Sequence, residues 1–353
     1  MSDTSSGDVE KPMEQPEHDL SKAMGQLSVT TDNSDETSPS FSDMPIDVVG
    51  LIIERCEYLE QLKLRKVSKS LRALVDKLKP ACKSIKVHCY LYESTIHFDA
   101  YHVVYTDELD EPDDYDPTGI YVERYDFEEA ALDDLASTLK NPKLELEEFS
   151  VYFVDGYKES RDLDGYYEKL QCIFKSLNHQ LSVKRAVFKL PTLSRLLSIL
   201  PCLQPGVLKR ISLDLLFKTN VALSIYSTGM DKVVLLEQWK QAEELELWDS
   251  FDMFPMEYAT HFKRFIIVEY IFDADKMARI TDFLSKLQNF EHCTLSSLSF
   301  HANVHQVLGE PVSSNATEEV FHHSITDSAC YLEFTKPING YEVKIEKKKR
   351  ENN

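Results

Sequence analysis

"LKRISL", residues 208 to 213, sets apolar side chains at its first, fourth and sixth positions and two cations between the first two of these. The same pattern returns as CKSIKV at 82, LEEFSV at 146, VKRAVF at 183, AEELEL at 242, FKRFII at 262 and FEHCTL at 290. An internal repeat of this kind has to be read before any fold is assigned. The last three residues of each unit alternate with the two-residue period of a β-strand, so the fourth and sixth positions share one side. Helical patterns lie between units: YYEKLQCIFKSLN (166 to 178), TLSRLLSIL (192 to 200) and DADKMARITDFLSKL (273 to 287). The last opens with Asp273 as a cap and spaces Met277, Ile280, Leu284 and Leu287 along one face.

From position 146 the units start 37, 25, 34, 20 and 28 residues apart, irregular but close to the roughly 20 to 29 of leucine-rich repeats. The expected fold class is α/β: short N-terminal helices, then an irregular leucine-rich-repeat-like β/α solenoid of parallel strands with helices returning along the outer side. CYLEF (330 to 334) and YEVKI (341 to 345) are expected to form a hairpin around Asn339-Gly340 that closes the final edge. A compact domain with one mixed sheet is the alternative.

Residues 41 to 80 follow a different rule. Asp43 suits an N-cap and Pro45 a first helical turn, where its missing N–H is not needed. Val48, Ile52, Cys56 and Leu59 recur at helical spacing, Val49 and Ile53 widen the stripe, and Leu64, Val67, Leu71, Leu74, Val75 and Leu78 continue the pattern. Two or three short helices are expected. Forty residues with apolar side chains on more than one face are too few to sustain a core, so part of that surface calls for a cover from elsewhere.

Residues 1 to 40 hold nine acids, two lysines and no aromatic residue, the balance of a disordered acidic tail. DELDEPDDYD (107 to 116) carries seven acids between the first two units and is expected to be a solvated acidic loop. Placing Gly119 at the sixth position of a calcium-binding EF-hand loop aligns Asp114, Asp116 and Thr118 with ligand positions, but Tyr125 falls where a bidentate Glu is required. No calcium site is assigned.

The chain of 353 residues has 60 acidic against 39 basic side chains, a net charge of -21, which disfavours nucleic acid as a partner. No signal-peptide core or membrane-length apolar run is present, so no membrane partner is expected and the expected compartment is the cytoplasm. KKKR at 347 to 350, read as the start of a basic tail (347 to 353), leaves the nucleus open. The seven cysteines show no CxxC pair and are expected to be reduced and mostly buried.

Ten glycines, no two within four residues, cannot build a GxGxxG turn or a P-loop, and neither GxSxG nor HExxH occurs. No catalytic residue, cofactor or metal site is assigned. His301, His305 and the pair His322-His323 lack further ligands at metal spacing and are read as surface residues. Trp239 and Trp248 bracket the unit at 242 and are read as core or edge packing.

Met44-Pro45, VVGLII (48 to 53) and LKLRKVSKSLRALV (62 to 75) resemble an F-box, with RKVSKSLR in the form found in the large nematode F-box family. ILPCLQPGVLKRISL (199 to 213), VVLLEQWKQAEELEL (233 to 247) and LQNFEHCTL (287 to 295) resemble that family's F-box-associated FTH domain. The resemblance implies an F-box at 41 to 80, an FTH-type repeat domain at 81 to 346, and the non-catalytic role of a substrate receptor in a Skp-cullin-F-box ubiquitin ligase. It also implies that Pro45, Val48, Val49, Ile52, Ile53, Leu64 and Val67 dock on a Skp-family adaptor, and through it a cullin, while the repeat domain holds an unidentified target protein. Met44 stands in place of the family's usual Leu, and Leu71 in place of a frequent Trp.

Two residue-level observations bear on that reading. An amphipathic helix inserting apolar anchors between partner helices is an ordinary recognition mode that needs no catalytic group. Residues 41 to 80 carry eight Lys/Arg against six Asp/Glu, so Arg65, Lys66 and Lys69 could speed docking on an acidic adaptor. A scaffold or sequestering protein, with residues 41 to 80 serving as the cap of a repeat array, is the other functional class the sequence admits.

Overall fold

In the computed structural model the repeated units become adjacent strands of one sheet, and their second residues link them. The amide of Glu147 donates to the Lys83 carbonyl at 2.8 Å, Lys209 to Lys184 at 2.8 Å, and Glu243 to Lys209, Lys263 to Glu243 and Glu291 to Lys263 at 2.9 Å each. The structure describes residues 44–90, 93–107, 119–153, 163–215, 229–252, 254–300, 307–326, 328–338 and 340–350. The acidic tail, Asp43, all of the acidic loop beyond Asp107, His301, His305 and Asn339 lie outside these residues.

Two units divide the chain, Met1–Val48 and Val49–Asn353. In the first, the Val48 amide donates to the Pro45 carbonyl at 2.9 Å and opens α1 (Ile46–Arg55), whose later residues belong to the second. The second unit continues with α2 (Tyr58–Val67) and α3 (Lys69–Val75). Helix boundaries depart from the apolar spacing because caps intervene. Glu57 is extended and forms a reciprocal capping box with Glu60, which moves Leu59 onto α2. Ser68 is extended and its Oγ accepts the Leu71 amide at 3.1 Å, splitting the second run after Val67.

Then follow β1 (Ser84–Cys89), β2 (Glu93–Phe98), β3 (Tyr101–Thr106), β4 (Gly119–Glu123), α4 (Phe127–Leu139), β5 (Glu145–Phe153), α5 (Leu163–Ser176), β6 (Ser182–Leu190), α6 (Leu196–Ile199) and β7 (Arg210–Leu215). The remainder is α7 (Met230–Val233), α8 (Glu237–Gln241), β8 (Glu244–Trp248), β9 (Arg264–Phe272), α9 (Ala274–Lys286), β10 (His292–Phe300), β11 (Ser313–Ser314), β12 (Glu318–Ser324), β13 (Cys330–Pro337) and β14 (Glu342–Lys349). All the described strands join a single mixed sheet in the order β11-β12-β13-β14-β10-β9-β8-β7-β6-β5-β1-β2-β3-β4. The fold is mixed α/β, with short helices leading into one large sheet.

Within it, β1 and β5 to β10 stand side by side and parallel, each in register with the next. The fourth positions of the units form one row, Ile85, Phe149, Ala186, Ile211, Leu245, Phe265 and Cys293. The sixth positions form the next: Val87, Val151, Phe188, Leu213, Leu247, Ile267 and Leu295. Every residue in both rows is buried, as is every first position from Cys82 to Phe290. The helices cover this side: Phe174 of α5 meets Phe149 edge-on at 5.8 Å between centroids, and Phe283 of α9 meets Phe265 at 5.5 Å. Asp273 caps α9 by accepting the Lys276 amide at 2.8 Å, and Met277, Ile280, Leu284 and Leu287 are buried as their spacing predicts.

The gap between the first two units holds β2, β3, β4 and α4, so that β1 is flanked by antiparallel β2 on one side and parallel β5 on the other. At the other end β13 and β14 pair antiparallel, as expected, but β12 and β11 lie beyond them, so the hairpin does not close the sheet. The expected basic tail from 347 is corrected as well. Lys347, Lys348 and Lys349 belong to β14, the Lys347 amine caps α9 by donating to the Leu287 carbonyl at 2.7 Å, and Lys348 pairs with Glu333. All seven cysteines are free, but only Cys82, Cys89 and Cys293 are fully buried. Among the described residues no helix is long and apolar enough to cross a membrane.

The two sides of a strand should respond differently to truncation. Phe265→Ala empties a site in the fourth-position row and should cost about 3 to 5 kcal/mol. Its neighbour Ile266→Ala, on the opposite side, should cost under about 1.5 kcal/mol, because only a partly covered side chain shrinks. Urea denaturation of the two variants measures the difference.

Candidate functional site

The candidate surfaces are the N-terminal helices and the side of the sheet that, among the described residues, carries no helix. On α1, Leu51 and Ile52 are exposed, Ile52 at 40%, whereas the adjacent Ile53 is at 0% and Val49 is also buried. Val49 and Ile53 therefore face their own chain and are withdrawn from the expected docking set. Ile53 is fixed by its backbone as well, its carbonyl accepting from the Gln61 side chain at 3.0 Å. Pro45 and Val48, in the first unit, are exposed. Val67 closes α2 at 70% exposure and Leu64 is half-buried. Leu51 was not among the expected anchors, although it lies beside Ile52 in the same apolar run.

These helices reach the main core through α2. Tyr58 and Leu59 enter the main core cluster, the Tyr58 ring lies 5.2 Å from Phe98 of β2, and its hydroxyl donates to Thr138 of α4 at 2.8 Å. Burial pushes the Tyr58 phenol up, so that hydroxyl remains a donor. Of the cations expected to assist docking, Arg65 is held by Asp76 at 2.7 Å, while Lys66 and Lys69 are exposed.

On that side of the sheet, charged residues at third and fifth positions of the units, with Glu291 at a second position, form a charge ladder. Lys86 meets Glu148 at 3.2 Å, Glu148 meets Arg185 at 2.9 Å, and Arg185 reaches Glu246 at 2.8 Å. Arg210 pairs with Glu244, Arg264 pairs with Glu244 at 3.2 Å, and Arg264 continues to Glu291 at 3.3 Å. Arg185 extends from β6 to β8 past Ser212 of β7, whose side chain is short enough to let it through. The Glu246 carboxylate is nearly buried, and its two oxygens take Arg185 and the Trp248 indole, an arrangement that a buried charge requires.

Toward β3 the ladder gives way to aromatic rings. His88 stacks on Tyr152 at 4.5 Å and lies 5.0 Å from His97, which lies 5.3 Å from His102. Burial, then the neighbouring His97 and Lys86, hold His88 down to about 4, and burial with His102 lowers His97. The two tryptophans part company here. Trp239 is buried and donates to the Tyr258 carbonyl at 3.1 Å, but Trp248 stands on the helix-free side at 42% exposure, which corrects its reading as packing. His322 of β12 is held by Glu333 at 3.2 Å.

Comparison with known proteins gives these surfaces a class. The F-box domain family model matches residues 41–83, the stretch that contains α1, α2 and α3. The FTH domain family model matches residues 164–311, which include the three quoted stretches from 199 to 295. The chain thus carries an F-box followed by an FTH domain. It is similar to F-box A protein 155 of Caenorhabditis elegans, 29% identical over 177 residues, covering 48% of this chain and 40% of that protein. It is also similar to F-box A protein 224 of the same organism, 24% identical over 275 residues, covering 75% of this chain and 68% of that protein.

The imidazole row has a pH signature. A histidine whose folded value lies below its ordinary one stays neutral while the unfolded chain takes up a proton, so its contribution to stability is complete above about pH 6.5 and is lost as pH falls toward 4. The urea midpoint should drop between pH 6.5 and 5, and His88→Phe should flatten that drop.

Proposed function

We propose that this protein is a substrate-recognition adaptor of a Skp-cullin-F-box ubiquitin ligase. Its F-box docks on a Skp-family adaptor, and through that adaptor a cullin, while the sheet domain binds a target protein for ubiquitin transfer. The chain itself contributes no catalytic step and works in the cytoplasm. The observation that carries this reading is the exposure of Leu51 and Ile52 on a helix within the F-box match, next to a buried Ile53. An Ile or Leu left in water forgoes about 1.5 to 3 kcal/mol that burial against a partner would recover. Pro45, Val48, Ile52, Leu64 and Val67 remain the proposed contacts, joined by Leu51.

The sheet domain fits the second half of the task. Parallel units stacked in chain order form a leucine-rich-repeat-like solenoid in this reading, with one side given to helices and the other left for binding. One observation favours the alternative of a scaffold in which residues 41 to 80 act mainly as a cap: Tyr58 and Leu59 are part of the sheet's core. Both roles can reside in the same helices, because Tyr58 and Leu59 point inward while Leu51, Ile52 and Val67 stay exposed.

Neighbouring substitutions separate the two. Ile52→Ala with Pro45→Ala should leave the urea midpoint nearly unchanged and weaken capture of a Skp-family adaptor by about 2 kcal/mol or more, the size of an interface anchor. Ile53→Ala should instead lower stability by about 2 to 4 kcal/mol, as a buried truncation does. Undiminished adaptor capture by the Pro45/Ile52 double variant would reject the docking assignment.

A further inference from the structure

One row of the helix-free side carries groups that the charge ladder does not consume. Register places Asp214 beside Trp248, Trp248 beside Val268, Val268 beside Ser296 and Ser296 beside Glu342. Five adjacent strands therefore present a carboxylate, an indole, an isopropyl group, a hydroxyl and a second carboxylate in that order. At a strand spacing of about 4.8 Å the row is about 19 Å long, the reach of roughly six extended residues. Tyr270, two residues beyond Val268 and on the same side, is 67% exposed, so two large aromatic groups face solvent here.

The aromatic surface is held in place. The Trp248 indole donates to Glu246 at 2.8 Å, and the Tyr270 amide donates to Asp249 at 2.9 Å. Charges of both signs surround it, Lys344 being exposed two residues from Glu342 on the same side. Arg185, Arg210 and Arg264 of the ladder are each already paired, and Asp214 is paired with Lys189 at 2.7 Å. Among the described residues, Asp249 and Glu342 have no cation within ion-pair distance. Exposed aromatic faces attract guanidinium and ammonium groups, and carboxylates on either side strengthen that preference. A chain at -21 also repels an acidic partner and accelerates encounter with a basic one.

We infer that the row centred on Trp248 docks a basic segment of the target protein, in which Arg or Lys residues alternate with apolar ones. The cations lie over Trp248 and Tyr270 and between Asp249 and Glu342, and the apolar residues meet Val268. This rests on the reading that the sheet domain holds a target, and it names the chemistry of that target.

The test uses the full chain and two labelled nine-residue peptides, one alternating arginine with leucine and one alternating glutamate with leucine, with binding read by fluorescence anisotropy. The arginine peptide should bind and the glutamate peptide should not. Trp248→Ala should weaken binding about tenfold, in the range of an aromatic interface anchor, and Glu342→Lys by several-fold. Tyr270→Ala serves in place of Trp248→Ala if the latter fails to fold. Equal affinity in the Trp248 or Tyr270 variant and the parent chain would overturn the inference, since diffuse attraction to a chain at -21 would then suffice. Equal binding of the glutamate peptide, or no binding of the arginine peptide, would overturn it too. Skp-family adaptor capture is measured in parallel. Its absence from the parent chain, with Trp248-dependent peptide binding intact, would reject the ligase reading and leave this row supported.

Discussion

The in-register stacking of short parallel strands through their second residues is what the rest of the structure depends on. Each of those amides satisfies the carbonyl of the corresponding residue one strand away, and this pins the register of everything that follows. A slip of one residue would turn every fourth and sixth side chain toward water and bring the charged third positions into the core. The alternation of roles across the strand, apolar toward the helices and ionic or aromatic on the other side, is a consequence of that constraint.

The same constraint explains why the sheet could be read from the sequence and its ends could not. Positions one, four and six of all seven units are buried, and the pattern was visible because a strand with one helix-covered side repeats every two residues. Nothing comparable marks β2, β3, β4 or β12. Their burial depends on pairing with partners whose identity a single strand does not encode, as with Thr95 and Ser94, polar residues buried within β2. The helix breaks at Glu57 and Ser68 were missed because side-chain caps overrode a continuous apolar spacing. The basic run at 347 reads as a tail by its charge alone; its alternation with Val343 and Ile345 is the signature of β14.

Of the candidate surfaces, the location of α1 is legible in the sequence, but not which of its apolar residues face outward. VVGLII is apolar almost throughout, so periodicity cannot distinguish Ile52 from Ile53, of which the structure buries only the second. Trp248 was misread for a related reason. A tryptophan beside a strand unit is ordinarily a packing residue, and its outward position follows from standing one residue past the unit at 242, on the same side as Glu244 and Glu246. The charge ladder is also hidden in the sequence, since its pairs join residues 20 to 62 positions apart, as Arg264 to Glu244 and Lys86 to Glu148 do.

The outermost strands have a consequence for how these molecules behave when crowded together. A stack of parallel strands exposes unpaired amides and carbonyls wherever it stops, and two copies could add to one another there as they would in a fibril. Among the described residues the last strand at one end is the five-residue β4 and at the other the two-residue β11, with Glu318 and Glu319 in the strand beside it. So little straight backbone, with like charges set against like charges in a neighbouring copy, gives an incoming strand a poor template. The fold can thus repeat a sticky motif seven times within one chain without extending it into the next.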